Sequence, residues 1–349
     1  MLRAFRCCRQ AGFQKNPYLP QKKDLLYRVL KILARLVFPL YCRKLTLVKK
    51  EMLQQEGPLL IACNHPNSFL DAIIICTLFK GSVYSLARGD AFNKKFFARI
   101  LHALKMFPVY RAREGVENLE HNYTTFEKCR QVFKEGGIVL IFSEGLCVNE
   151  WKLRPLMKGT ARLAISAWED DIPLKVLPTG INYSSFNRFG KNIQLNFGQL
   201  ISKEDILKED APGKNILGFN AKLKTELEQL VIDIPGADRN LINNKEKVKL
   251  RFEVKQSWIK KIILFVPACI GVLIHYPLYL PLKKWINKLA SDNDHYDSIM
   301  VGILFLLYPI YVLLVTLVCF FISMQPGSFL LVLFLPFSAW CYVQLKQQF

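Results

Sequence analysis

Acidic residues are scarce in this sequence: 28 Asp and Glu stand against 48 Lys and Arg, a formal net charge of +20 over 349 residues. An excess that large leaves three kinds of partner: nucleic acid, an anionic lipid surface or an anionic substrate. No zinc-finger spacing and no aromatic RNA-binding signature occurs, so no nucleic-acid partner is expected. Ten cysteines are present, at 7, 8, 42, 63, 76, 129, 147, 269, 319 and 341, yet no C-x-x-C pair. That argues against structural zinc and dithiol redox chemistry, and the thiols within apolar runs read as small buried hydrophobes. The first twenty residues have no apolar core, so no cleavable signal peptide is expected there. There is no internal repeat, and no G-x-S-x-G that would mark a serine nucleophile elbow.

What the chain does hold is unevenly spread. Hydrophobic residues make up 51% of it, and the excess lies after Lys261, in the runs Ile262–Leu282, Ile299–Ser323 and Ser328–Val343. About 20 apolar residues span a bilayer as a helix. The second run meets that length plainly, the first carries Pro267, Pro277, Pro281 and His275, and the third is short and holds Pro336. A basic stretch over 245–261 precedes them, which by the positive-inside rule predicts a catalytic part on the cytoplasmic face of an integral membrane protein. Near the other end, residues 24–41 repeat Leu, Ile and Val at helical spacing with Arg28, Lys31 and Arg35 on the opposite face. Nine Lys or Arg and one acidic residue, Asp24, fall between 21 and 50. An amphipathic helix of that kind is expected to lie on an anionic membrane surface.

Between about 57 and 200 the pattern alternates. Leu59–Cys63, Val83–Ala87, Met106–Tyr110, Ile138–Ser143, Leu174–Asn182 and Ile193–Phe197 read as strands, with helical stretches such as 116–135 and 156–168 between them. This predicts an α/β fold: a mixed, mostly parallel sheet flanked by helices. The expected organisation is a basic membrane-surface region over 1–44, a catalytic domain over 45–235, a basic linker over 236–261 and a membrane region with two to three spans over 262–349.

Asn64-His65-Pro66-Asn67-Ser68-Phe69-Leu70-Asp71 follows the first of those strands, where an α/β fold presents reactive groups. His65 and Asp71 are six positions apart. On one helix that is about 600° of rotation, and the side chains would diverge. They can meet only if His65 sits in a turn ahead of the helix, an arrangement favoured by Pro66 and by Asn67 or Ser68 as caps. A carboxylate would then hold the imidazole in one tautomer and stabilise its protonated form, leaving the free nitrogen to take a hydroxyl proton.

The order of the following motifs resembles the glycerolipid (PlsC-like) acyltransferase family. Asn64-His65 with Asp71 is similar to its first block. Met106-Phe107-Pro108-Val109-Tyr110-Arg111 resembles the second, Ile141-Phe142-Ser143-Glu144-Gly145 the third, with Leu153-Arg154-Pro155-Leu156-Met157-Lys158-Gly159 as its continuation, and Val176-Leu177-Pro178 the fourth. The resemblance covers roughly residues 45–200 and implies O-acyl transfer from acyl-CoA or acyl carrier protein to a glycerol phosphate-type acceptor, glycerol 3-phosphate or lysophosphatidate. It implies His65 as general base, Asp71 as its orienter, Arg111 as the phosphate clamp, Glu144 and Gly145 lining the acceptor site, and Arg88 and Lys158 as further anion contacts. Membrane lipids are further partners. No metal and no organic cofactor is implied, because the thioester is already activated.

Two departures mark this chain. Five residues separate His65 from Asp71 where the family usually has four, a spacing that resembles fungal-type glycerol-3-phosphate acyltransferases. Ser143 stands for the usual Pro, and Leu146-Cys147 for the usual Thr-Arg. The second change removes an expected phosphate contact, so another lysolipid or an amino-acid lipid remains an alternative acceptor. A non-catalytic lipid-binding membrane tether is the alternative of a different class.

Overall fold

The computed structural model describes residues 24–110, 119–207, 212–234, 244–290 and 294–346. The elements run α1 (Asp24–Tyr41), β1 (Cys42–Val48), β2 (Leu59–Cys63), α2 (Ser68–Leu78), β3 (Val83–Arg88), α3 (Lys95–Ala103), β4 (Met106–Val109), α4 (Leu119–Lys134), β5 (Ile138–Phe142), α5 (Gly159–Glu169), β6 (Lys175–Tyr183) and β7 (Lys191–Phe197). Helices α6 (Lys203–Ile206), α7 (Pro212–Leu230), α8 (Lys245–Phe252), α9 (Trp258–Leu289), α10 (Tyr296–Ser323) and α11 (Leu331–Leu345) complete the chain.

The seven strands form one sheet in the order β1-β7-β6-β2-β5-β3-β4. Every pairing is parallel except β6 with β7. The fold class is therefore the mixed, mostly parallel α/β sheet expected from the alternation. One strand was not legible: β1, whose Arg43 and Lys44 read as part of the basic run, pairs in parallel with β7 at the sheet edge.

β2 is central and wholly buried, as a continuous apolar run in a sheet covered on both faces must be. Its alternation divides the core in two. Leu59, Ile61 and Cys63 point to a layer formed by α2, with Leu70, Ile74 and Ile75. Leu60 and Ala62 point to the opposite layer, built on Ala161, Leu163 and Trp168 of α5 and Phe219, Leu223 and Leu227 of α7. Each fully buried Leu or Ile contributes about 1.5–3 kcal/mol. The first layer also holds Ile286 of α9 and Tyr296 and Met300 of α10, so the C-terminal helices share the core of the sheet. Within the basic stretch, α8 forms and buries Val248 and Phe252 in that layer's direction.

Three helices are long and apolar enough to cross a membrane: Trp258–Leu289, Tyr296–Ser323 and Pro326–Leu345. Their outward faces expose large apolar side chains such as Leu273, Leu306, Phe321 and Leu333, a surface that water does not favour. Gly271 lets α9 approach α11 closely, because a Cβ there would lie 2.6 Å from the Ser338 carbonyl oxygen.

Helix α1 differs from expectation in which way its charged face turns. Lys31 Nζ donates to the carbonyl of Gly81 at 2.7 Å and Arg35 Nε to that of Thr77 at 2.6 Å. Both cations thus serve carbonyls at and beyond the C-terminal end of α2, where the helix dipole favours positive charge. Burial pulls the Lys31 ammonium down to about 8. Leu25, Ile32 and Leu36 face outward instead. The rest of the expected surface region, residues 1–23, lies outside the described residues.

Candidate active site

Three neighbouring strands deliver the site. In register, Cys63 at the end of β2 lies beside Phe142 of β5 and Thr179 of β6, so Asn64-His65, Ser143-Glu144 and the end of β6 converge at one edge. Asn64 ties the turn to β6 by a reciprocal pair: its Nδ2 donates to the Ile181 carbonyl at 3.1 Å, and the Ile181 amide donates to its Oδ1 at 2.8 Å. Helix α2 begins only at Ser68, which leaves His65 in the turn ahead of it. The turn is tight enough to hold Ser68 at φ 50°, a left-handed conformation that a serine adopts at some energetic cost.

In that arrangement His65 Nδ1 lies 2.9 Å from Asp71 Oδ2. A carboxylate only accepts, so Nδ1 carries the hydrogen and Nε2 is left with a free lone pair. The imidazole stacks on Phe142 with ring centroids 3.8 Å apart and 13° between planes, and its side chain remains 18% exposed. Asp71 is fully buried and accepts two further hydrogen bonds: from the Asn67 amide to Oδ2 at 2.8 Å and from the Tyr183 hydroxyl to Oδ1 at 2.6 Å. Burial pushes the Tyr183 phenol well above its ordinary value, so it stays a donor. Three donors around one carboxylate fix its plane and make the dyad rigid.

Glu144 is buried behind the turn. Its Oε2 accepts from the His65 backbone amide at 2.6 Å and its Oε1 from the Arg154 amide at 2.8 Å. Burial raises its carboxyl above the ordinary range, while the two amide bonds pull the other way. Gly145 follows at φ +63°, and a Cβ there would come within 2.9 Å of Met157 Cγ, so the turn after β5 requires glycine.

The remaining expected residues are less closely grouped. Arg88 ends β3 and is exposed, its guanidinium paired with the Asp90 carboxylate. Lys158 is exposed at the residue before α5. Arg111 lies outside the described residues. Among the described residues no cluster of three His, Cys, Asp or Glu could hold a metal ion.

Several neighbours of the dyad were given no role at it from the sequence. Tyr183 and Asn67 clamp Asp71. Cys147 accepts from the Ser68 amide through Sγ at 2.9 Å. Burial pushes its thiol above the ordinary value, so it is a neutral sulfur rather than a thiolate nucleophile. Only Asn67 carried a local signal, as the polar residue ahead of a helix.

The comparisons with known proteins bear on this geometry. A family model described as Acyltransferase matches residues 44–182. No curated protein matches the chain. Seven solved chains match. One is the crystal structure of the 1-acyl-sn-glycerophosphate (LPA) acyltransferase PlsC from Thermotoga maritima, with 11% identity, a TM-score of 0.38, and coverage of 60% of this chain and 81% of that one. The family match spans the turn that carries His65 and Asp71 together with the strands that frame it, so that residues 44–182 are similar to an acyltransferase domain.

Proposed function

We propose that this protein is membrane-bound and moves a fatty acyl group from acyl-CoA or acyl carrier protein to a hydroxyl of glycerol 3-phosphate or lysophosphatidate. The observation that carries the reading is the His65–Asp71 contact of 2.9 Å at the end of a buried strand, with Nε2 left free. As the acceptor oxygen attacks the thioester carbonyl, Nε2 takes its proton. Asp71 stabilises the resulting imidazolium. The tetrahedral intermediate collapses by breaking the carbon–sulfur bond, and the imidazolium proton goes to the departing thiolate. No metal or organic cofactor enters this sequence. Glu144 acts here as a brace that fixes the backbone of His65 and Arg154. Arg111 holds the acceptor phosphate, with Arg88 and Lys158 adding positive potential around it.

The membrane reading rests on the three apolar helices and the net charge of +20. The basic residues of 245–261 support a catalytic face toward the cytoplasm, by the positive-inside rule. An apolar cavity of about 240 Å³ lies between α1, α2 and α10 and reaches Phe69 and Leu70, next to Asp71. It suits the donor's hydrocarbon chain. Gly302 lines it, and a Cβ added there would meet no heavy atom within 4 Å. Gly302→Trp is therefore expected to fold and to shorten the preferred chain. Each methylene excluded forfeits about 0.8 kcal/mol, so kcat/KM for a long acyl-CoA falls by about tenfold or more relative to a short one.

The test of the acceptor is a competition between glycerol 3-phosphate and lysophosphatidate with detergent-solubilised protein and labelled acyl-CoA. Labelled product from either acceptor supports the proposal. Transfer only to an uncharged lysolipid or an amino-acid lipid moves the chain to the alternative acceptor class. Retention of label without product identifies a lipid-binding tether. In the same assay Arg111→Ala should raise the acceptor KM roughly 10- to 100-fold while the donor KM stays near that of the parent, as expected for loss of a bidentate phosphate contact.

A further inference from the structure

The first turn of α10 and the residue before it reach back to the catalytic turn at three points. His295 Nδ1 meets the Ser68 hydroxyl at 2.8 Å. The Asn67 side-chain amide donates to Asp297 Oδ2 at 2.7 Å. The Leu70 backbone amide donates to Ser298 Oγ at 3.2 Å. Helix α2 has no side-chain cap from its own Asn67, so Ser298 caps one of its first-turn amides from a different helix.

Asp297 is the centre of this contact. It is fully buried and also takes hydrogen bonds from Lys191 on β7 and Tyr41 at the end of α1. Lys191 is likewise fully buried. A buried carboxylate paired to a buried ammonium, with both oxygens engaged, is rigid. Asn67 has its Oδ1 unpartnered among the described residues, so the bond to Asp297 alone fixes its side chain. Its backbone amide, in turn, holds Asp71 Oδ2, the atom that meets His65.

We propose that Asp297, on a membrane helix, is a positioning residue for acyl transfer: it anchors Asn67, whose amide keeps Asp71 aligned with His65. The proposal rests on His65 acting as the base. It makes the start of α10 part of the catalytic apparatus, consistent with the core that helix shares with the sheet. Three side chains from distant parts of the fold, Tyr41, Lys191 and Asn67, meet on one carboxylate.

Two double variants in the full-length protein separate positioning from mere stability, because both remove the buried ion pair without stranding a charge. In D297N/K191M the Asn carbonyl still accepts from Asn67, and kcat should stay within about threefold of the parent. In D297A/K191M that acceptor is gone, and kcat should fall about tenfold or more with donor and acceptor KM within about twofold. Asn67→Ala should reproduce the D297A/K191M loss, and combining the two should cost little more, as expected for members of one chain of contacts. Parental kcat in Asn67→Ala overturns the inference, as does an equal loss in both double variants. If D297A/K191M does not accumulate in membranes, Asn67→Ala decides by itself. His65→Ala serves as the control: an active His65→Ala defeats the base assignment, whereas an inactive one beside a fully active Asn67→Ala defeats only the role of Asp297.

Discussion

His65→Ala is expected to lower kcat for acyl transfer roughly 10²- to 10⁴-fold, the range in which a positioned general base contributes. The protein should remain in the membrane fraction at the parental level. Its side chain is 18% exposed, and the loss removes the stacking contact with Phe142 and the ring bond to Asp71, which keeps its Asn67 and Tyr183 donors, but no backbone bond. The bond from the His65 amide to Glu144 survives the substitution. Labelled acyl transfer by solubilised protein, with sedimentation of the membrane fraction alongside, measures both quantities. Undiminished turnover would end the assignment of His65 as base.

Asp71→Asn tests the charge of the dyad, and the geometry says how the amide must sit. Asp71 Oδ2 receives two donors, the His65 ring and the Asn67 amide, while Oδ1 receives only the Tyr183 hydroxyl. An asparagine therefore turns its carbonyl toward His65 and Asn67 and sets its NH₂ against the phenol oxygen, which accepts. The imidazole keeps its tautomer and its place, and what disappears is the negative charge facing the developing imidazolium. In a buried site that charge is worth several kcal/mol, so kcat should drop about 100-fold or more with both KM values little changed. Tyr183→Phe, which leaves the charge and removes one of three donors, should cost less, about tenfold in kcat, the low end for a hydrogen bond to a charged group. A Tyr183→Phe loss as large as that of Asp71→Asn would mean the hydrogen-bond frame, rather than the charge, governs the step.

The parts of this molecule that could be read ahead of its structure are those written in local pattern. The bounds of β2 follow from a five-residue apolar run between polar turns, and the position of His65 before α2 follows from helix geometry applied to the spacing of His65 and Asp71. β1 was hidden because Arg43 and Lys44 sit on an edge strand, where charge is tolerated and alternation is weak. The inward turn of Lys31 and Arg35 was hidden because periodicity reports that a helix has two faces but not which one meets the protein. Their partners, the carbonyls of Gly81 and Thr77, are 50 and 42 positions away. Asp297 was not singled out, because it lies just ahead of the apolar run Ile299–Ser323. Nothing local connects it to Asn67.

That last contact has a consequence for how the protein is made. Asn67 and Asp297 are 230 positions apart in the chain. At roughly 5–20 residues per second, the ribosome needs about 10–50 s after finishing the His65 turn to deliver the residue that anchors it. The nascent chain must therefore hold its finished sheet with a loose His65 turn until α10 has been made. Maturation of activity should lag synthesis of the sheet and follow the delivery of α10.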